Sequence, residues 1–324
     1  MSLATTAFVL LLALAIDAGF GYPAALFRAI GHPVTWMGRA ISRLDRQYNK
    51  PDVSFDARKQ AGVSAIALLT AGVGLFAFLL ERYLTASWFG YVLLAAVTST
   101  LIASRSLYEH VSDVARGLDG GKTVDARKAV SRIVGRDPEQ LDEHAIARAA
   151  VESLAENASD GIAAPVLWFL VLGLPGAAAY KAINTADSMI GHRTPKYEAF
   201  GWAAAKLDDL VNWPASRLTG LLFAVAALLV PGASPQQAIT AMFRDAKNHR
   251  SPNAGWPESA MAGALAFKLA GPRTYNGVMV DDAYMGDGNA DLTAADIRQA
   301  LHFALCAWAI MAGAIVLLWI IALV

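Results

Sequence analysis

Charge is scarce in this 324-residue chain: Asp, Glu, Lys and Arg make up 17% of it, against about 25% in an ordinary soluble protein. Cysteine is scarcer. The single Cys306 excludes an intramolecular disulfide and argues against a metal site built from thiolates, and within the last apolar run its expected role is packing. The 27 basic and 27 acidic residues cancel, and no basic tail points to nucleic acid. Residues 1–16 hold no Lys or Arg, so the basic region of a secretory signal is missing and a retained first helix is expected. Strand signals are sparse, and neither an internal repeat nor a low-complexity tract is visible.

What fills the chain is apolar: 56% of residues are hydrophobic, and they fall in runs. Gln60–Leu80, Tyr83–Ser104, Gly161–Tyr180, Leu218–Phe243 and Phe303–Val324 carry no charge at all. About 20 residues cross a bilayer core as helix, so runs of 18 or more read as transmembrane segments. Buried helices of a soluble core do not easily account for so many. With the shorter run at 1–16, the pattern predicts an all-α polytopic integral membrane protein of about five to six transmembrane helices. It forms one domain over 1–324, with polar connections at 17–59, 105–160, 181–214 and 244–302. The first two are rich in Lys and Arg, which places them in the cytoplasm, the N-terminus outside and the last helix running outward. Simple alternation then sends 181–214 outside despite Lys181, Arg193, Lys196 and Lys206. Pro165, Gly173, Pro175 and Gly176 weaken a straight span, so a re-entrant segment is expected within 161–214.

Polar chemistry concentrates in a few stretches. Glu152, Glu156 and Asp160 follow at i, i+4 and i+8, on an arc of about 80° if the helix is continuous. Stacked carboxylates repel unless a cation lies among them, and oxygen ligands suit Mg²⁺. A solvated face paired with Arg148 is the plain alternative. Lys181, Asn184, Ser188 and His192 share the next expected face, with Asp187 adjoining. A cation, an amide, a carboxylate and an imidazole can bind phosphate, hold a metal and move protons, although a lone His is as often structural. Asp209 and Asn212 are the expected inward pair of the third cluster, with Asp208 pairing with Lys206 or Arg217. Further on, Arg244, Lys247, His249, Asn253, Trp256 and Glu258 lie in a stretch whose prolines and glycine predict a fixed loop. Its basic groups suit phosphate or carboxylate, and Trp256 equally suits a membrane interface. Gly121-Lys122-Thr123 mimics the end of a phosphate loop, but the first glycine would fall at Arg116 and no strand precedes it, so a Walker-type site is rejected.

Longer strings carry a resemblance. His32-Pro33-Val34 with Met37-Gly38, Ile133-Val-Gly-Arg136-Asp137, Ala150-Val-Glu-Ser-Leu-Ala-Glu-Asn-Ala-Ser-Asp-Gly161 and Tyr180-Lys-Ala-Ile-Asn-Thr-Ala-Asp-Ser-Met-Ile-Gly-His-Arg193 mark it. Phe200-Gly-Trp202, Leu207-Asp-Asp-Leu210 and Ser251-Pro-Asn-Ala-Gly-Trp-Pro-Glu258 extend it over nearly the whole chain. The chain resembles the CobD/CbiB family of cobalamin biosynthesis, the adenosylcobinamide-phosphate synthases. That resemblance implies ATP-dependent amide formation between adenosylcobyric acid and aminopropanol or its O-phosphate, with an acyl phosphate as the expected activated form. It implies a multi-pass protein of the inner (plasma) membrane with a cytoplasmic active site, and contacts with other enzymes of the cobalamin pathway. Distributed over the clusters, the chemistry gives Glu152, Glu156, Asn157, Lys181, His192 and Arg193 as catalytic candidates, with His192 or Glu156 as base. Arg136, Asn184, Asp209, Arg244, Lys247, His249, Asn253, Trp256 and Glu258 are candidates for substrate binding, and Glu156, Asp160 and Asp187 for Mg²⁺. An Mg²⁺-dependent membrane transferase acting on a diphosphate or nucleotide-alcohol, and a transporter of an organic anion, could use the same groups. Inverted repeats would favour transport.

Overall fold

A computed structural model describes residues 1–324 except 135–138, 140, 276, 277 and 281, with the backbone alone at 273–275 and 278–280. About 75% of the chain is helical. The helices are α1 (Leu3–Phe20), α2 (Ala24–Ile30), α3 (Pro33–Tyr48), α4 (Phe55–Leu84), α5 (Trp88–Ser99), α6 (Ser104–Asp119), α7 (Thr123–Val130), α8 (Glu143–Asn157), α9 (Ala164–Ile190), α10 (Trp202–Ala226), α11 (Pro235–Asp245), α12 (Gly255–Leu265) and α13 (Ala294–Ile321). Short antiparallel ladders pair β1 (Leu269–Ala270) with β4 (Tyr284–Met285) and β2 (Arg273–Tyr275) with β3 (Val278–Val280). Among the described residues, five helical stretches are long and apolar enough to cross a membrane: α1, α4, α13, and one each within Trp88–Asp119 and Glu143–Ile190. The protein is thus an all-α polytopic membrane protein.

The apolar run at 218–243 is not a sixth straight span. α10 ends at Ala226 and α11 starts at Pro235, with Pro231 and Gly232 in the turn between them. Neither residue sustains a helix interior. The polar connection at 105–160 is largely helical, with α6, α7 and α8. Asp142 caps α8 by accepting from Ala145 N–H at 2.7 Å. Arg136, a candidate for substrate binding, lies outside the described residues.

The backbone gathers into two compact units. The first comprises Met1–Ala103, Ala164–Asn212 and Ile315–Val324; the second comprises Ser104–Ala163 and Trp213–Ala314. In the first, α9 packs on α4, α3 and α1, and α1 packs on α5. Its core is Met37 and Ile41 of α3, Ala65, Ile66 and Leu69 of α4, Ala182, Ala186 and Ile190 of α9, and Phe200 and Ala204. The long helix α9 is broken where glycine and proline predict it. Gly173 sits at φ +68°, a conformation that disfavours any residue with a Cβ. The restarted helix is capped from α4, because Leu174 N–H donates to Glu81 Oε2 at 2.7 Å. In the second unit α6, α7 and α8 pack together, α12 packs on α11 and α8, and β1 and β4 lie against α12.

Candidate functional site

A polar group of the first unit, with Tyr180, Asp208 and Asn212 buried and His32, Lys181, Asn184 and Asp187 half-buried, is built by three elements. α9 contributes Tyr180, Lys181, Asn184 and Asp187, which follow at intervals of one, three and three residues and so stay on one side of the helix. α10 contributes Asp208 and Asn212, at i and i+4. His32 stands at the N-cap of α3, where its Nδ1 accepts from Val34 N–H at 3.2 Å.

Hydrogen bonds tie α9 to α10 through this group. Asn212 Nδ2 donates to Asp208 Oδ2 at 2.9 Å, and Asn184 Nδ2 donates to Asp208 Oδ1 at 3.3 Å. Tyr180 donates its hydroxyl proton to Asn212 Oδ1 at 2.7 Å. Asn212 is fully buried and Asp208 is 8% exposed. Burial pushes the Asp208 carboxyl up to about 7, helped by the nearby charge of Asp187; the two amides act the other way without cancelling it. At His32, burial and then the charge of Lys181 lower the pKa, which favours neutral imidazole. With Val34 N–H on Nδ1, neutral His32 carries its proton on Nε2 and acts as a donor.

Asp208, not Asp209, is therefore the inward residue of its pair. Asp208 and Asn212 lie within about 40° of each other around α10, whereas Asp209 is turned about 100° from Asp208. Asp209 faces Lys206 at 3.6 Å. His192 also departs from expectation. α9 ends at Ile190, so His192 and Arg193 are exposed in the following loop and do not continue the face of Lys181 and Asn184.

The second unit holds the carboxylate series. Glu152 is buried on α8, and its Oε1 accepts from Ala270 N–H at 2.9 Å, fixing β1. Glu156 is exposed. Asn157 turns back on its own helix, donating to Ser153 O at 2.9 Å. Asp160 is half-buried in a π-helical segment, Ala158–Ala163, whose wider turn interrupts the expected α-helical arc. The three carboxylates thus run from a buried to an exposed setting and do not form one uniform face. Glu156 and Asp160 belong to one unit and Asp187 to the other. Among the described residues no group of three or more His, Cys, Asp and Glu side chains is gathered for a metal.

The stretch from Arg244 to Glu258 is more helical than its prolines and glycine suggest. A 3₁₀ turn covers Ala246–Asn248, and Trp256, Pro257 and Glu258 lie in the first turn of α12. Arg244 donates to both oxygens of Asp245, at 2.6 and 2.7 Å, and also pairs with Asp287, so its guanidinium is already committed. Burial opposes ionisation of Asp245, but the bonds from Arg244 and from Gly286 N–H outweigh it and hold the carboxyl below its ordinary range. Lys247 is exposed, and His249 lies 3.6 Å from buried Glu258. Asn253 accepts from Arg217 at 2.6 Å. The Arg217 guanidinium also lies over the rings of Trp213 and Trp256, at 4.8 and 4.5 Å.

His32, Tyr180 and Asp208 were not singled out as site residues from spacing. His32-Pro33 and Tyr180 stand out only within longer strings, and spacing assigns Asp208 to Lys206 or Arg217 instead of the interior. The burial that distinguishes them has no local signal.

An all-helical membrane protein with two buried polar groups is the class defined so far. The family model described as CobD/Cbib protein matches residues 10–304, and the chain belongs to that family. It is 45% identical over 314 residues to a cobalamin biosynthesis protein CobD of Rhodobacter capsulatus, covering 96% of this chain and 98% of the relative. It is 49% identical over 312 residues to the protein of that name from a Sinorhizobium species, covering 95% and 97%. The corresponding Rhizobium meliloti protein is 46% identical over 306 residues, covering 94% of each chain. No solved structure matches.

Proposed function

We propose that this protein forms the amide bond between the carboxyl group of adenosylcobyric acid and the amine of aminopropanol or aminopropanol O-phosphate, with ATP as co-substrate. Cobalamin biosynthesis follows from the family. The observation that carries the chemical reading is Asp208, a buried carboxyl near pKa 7 that feels the charge of Asp187 and is bonded by Asn184 and Asn212, while Lys181, on the α9 stretch that holds Asn184 and Asp187, acts on His32. An amine is mostly protonated at neutral pH and must lose a proton before it attacks a carbonyl carbon. Asp187 and Asp208 suit the binding of an ammonium group. Asp208, about half ionised near neutrality, suits removal of its proton, because a base is most effective when its pKa lies near the working pH. Lys181 and the Nε2–H of His32 would stabilise negative oxygen on the activated carboxyl.

Mg²⁺ is usually held by one or two carboxylates, with water and substrate phosphates completing its shell. Asp187 fits as such a single carboxylate donor, which leaves Asp208 as the base. Bound there, Mg²⁺ would offset phosphate charge. The reading also places the protein in the plasma membrane with this group open to the cytoplasm, where ATP is available.

The test is purified protein in nanodiscs with adenosylcobyric acid, aminopropanol phosphate, ATP and Mg²⁺, followed by mass spectrometry. A mass corresponding to loss of water between acid and amine, formed in step with ATP consumption, is expected. A corrinoid that stays unchanged with all components present overturns the proposal.

A further inference from the structure

The second unit contains a cavity of about 430 Å³ between α6 and α7, apart from every group described above. Its walls carry Arg116, Lys122, Lys128 and Arg132 against Asp113 and Asp125, four basic groups to two acidic ones. Asp113 lies between Arg116, with which it pairs, and Arg132 at 3.4 Å. Lys122 and Lys128 are exposed and bring the cavity to a formal charge of +2. The volume falls within the ordinary range for small-ligand pockets, roughly 300–1,000 Å³.

The sequence brings these cations together by a specific route. Gly117 lets α6 approach α7, because a Cβ there would lie 2.8 Å from the Ala126 backbone. The turn at 120–122 then places Lys122 at the N-cap of α7, where it makes no side-chain capping bond. The positive end of α7 therefore opens beside a cation with no side-chain cap, and Asp125 in its first turn offsets part of that charge. The lining has no aromatic and no large apolar side chain, so nothing in it would grip a nucleobase or a corrin ring. Its chemistry is charge alone. Solvated, unrelated surface cations would explain each residue singly, but they do not explain four on one concave wall.

We propose that this cavity binds a phosphate group, as the polyphosphate end of a nucleotide or as the headgroup of an acidic phospholipid. The proposal does not depend on the amide-forming reading, whose residues lie in the first unit. Guanidinium and ammonium groups together suit phosphate: the lysines act as mobile point charges, and the arginines, held at Asp113, present their remaining N–H groups.

The test uses the full-length protein in phosphatidylcholine nanodiscs, with isothermal titration of inorganic tripolyphosphate. A second arm replaces part of the lipid with phosphatidylglycerol and reads the lipid co-purified after detergent extraction. Lys122→Gln/Lys128→Gln should weaken tripolyphosphate binding at least about tenfold, while Lys122→Arg/Lys128→Arg retains it. Arg132→Gln is a separate variant that should also weaken binding. Retention of phosphatidylglycerol without tripolyphosphate binding, lost in the Gln variants, would identify the headgroup as the source and sustain the site. Binding unchanged by the Gln variants, or absent from both arms in the wild type, overturns it.

Discussion

Asp208 of the first unit and Asp245 of the second are buried to nearly the same degree, 8% and 6% exposed, yet they are driven in opposite directions. Asp208 has neutral amide partners and a neighbouring carboxylate, and its pKa rises to about 7. Asp245 has the guanidinium of an exposed arginine and a backbone N–H, and its pKa falls. Burial disfavours both charges, more strongly at Asp208, which lies deeper; at Asp245 the guanidinium and the N–H overcome it, whereas at Asp208 the two amides do not. A carboxylate paired with a cation holds structure in a fixed charge state. One kept company only by amides and another acid can exchange a proton near neutrality. That contrast is why the first unit carries the proposed reaction.

The sharpest way to break the comparison is to remove the titrating group. Asp208→Asn should lower amide formation at least about 10²-fold, the scale of a lost general base. The folded pKa of Asp208 is raised above its ordinary 3.8, so the protonated form dominates below about pH 7. Activity limited by the base form should therefore fall as pH falls through 7, approaching tenfold per unit. Because ionised Asp208 burdens the fold above that pH, Asp208→Asn should not lower the melting temperature at pH 8. Wild-type turnover in the variant, or activity flat from pH 5.5 to 8, would remove Asp208 from the chemistry.

In the second unit the expected losses are structural and smaller. Glu152→Ala leaves the Ala270 N–H without its carboxylate acceptor, at a cost of about 1–3 kcal/mol. Faster hydrogen exchange at Ala270 and its neighbours in β1 is the readout. Unaltered exchange there would show that Glu152 does not anchor β1. Arg217→Lys keeps the charge but loses the planar stack on Trp213 and Trp256, and should cost about 0.5–2 kcal/mol in thermal unfolding. The smallest effect is expected at His192. Its exposure on the loop after α9 predicts that His192→Ala stays within about 0.5 kcal/mol in stability and about twofold in turnover. A loss of 10²-fold there would return the base to the position expected from the sequence and break the assignment to Asp208.

Family membership and membrane class were legible in the residue order because they rest on long, local signals. Uncharged runs mark spans wherever they occur, and strings such as Tyr180–Arg193 are contiguous. Gly173 and Pro175 likewise marked the break in α9, since backbone freedom is a property of the residue itself. The inward face of α10 was not legible. Asp208 and Asp209 are adjacent and chemically identical in the sequence, and only the packing of α10 on its neighbours determines which one loses water. The same holds for Glu152 and Glu156, one helical turn apart, of which the first is buried against a backbone N–H from β1 and the second is exposed. His32 is separated by 149 positions from Lys181, whose charge helps lower its pKa. By itself the sequence determined which segments are apolar, where helices break and to which family the chain belongs. Tertiary structure decided which polar groups are desolvated and against what partner, because both depend on contacts between segments far apart in the chain.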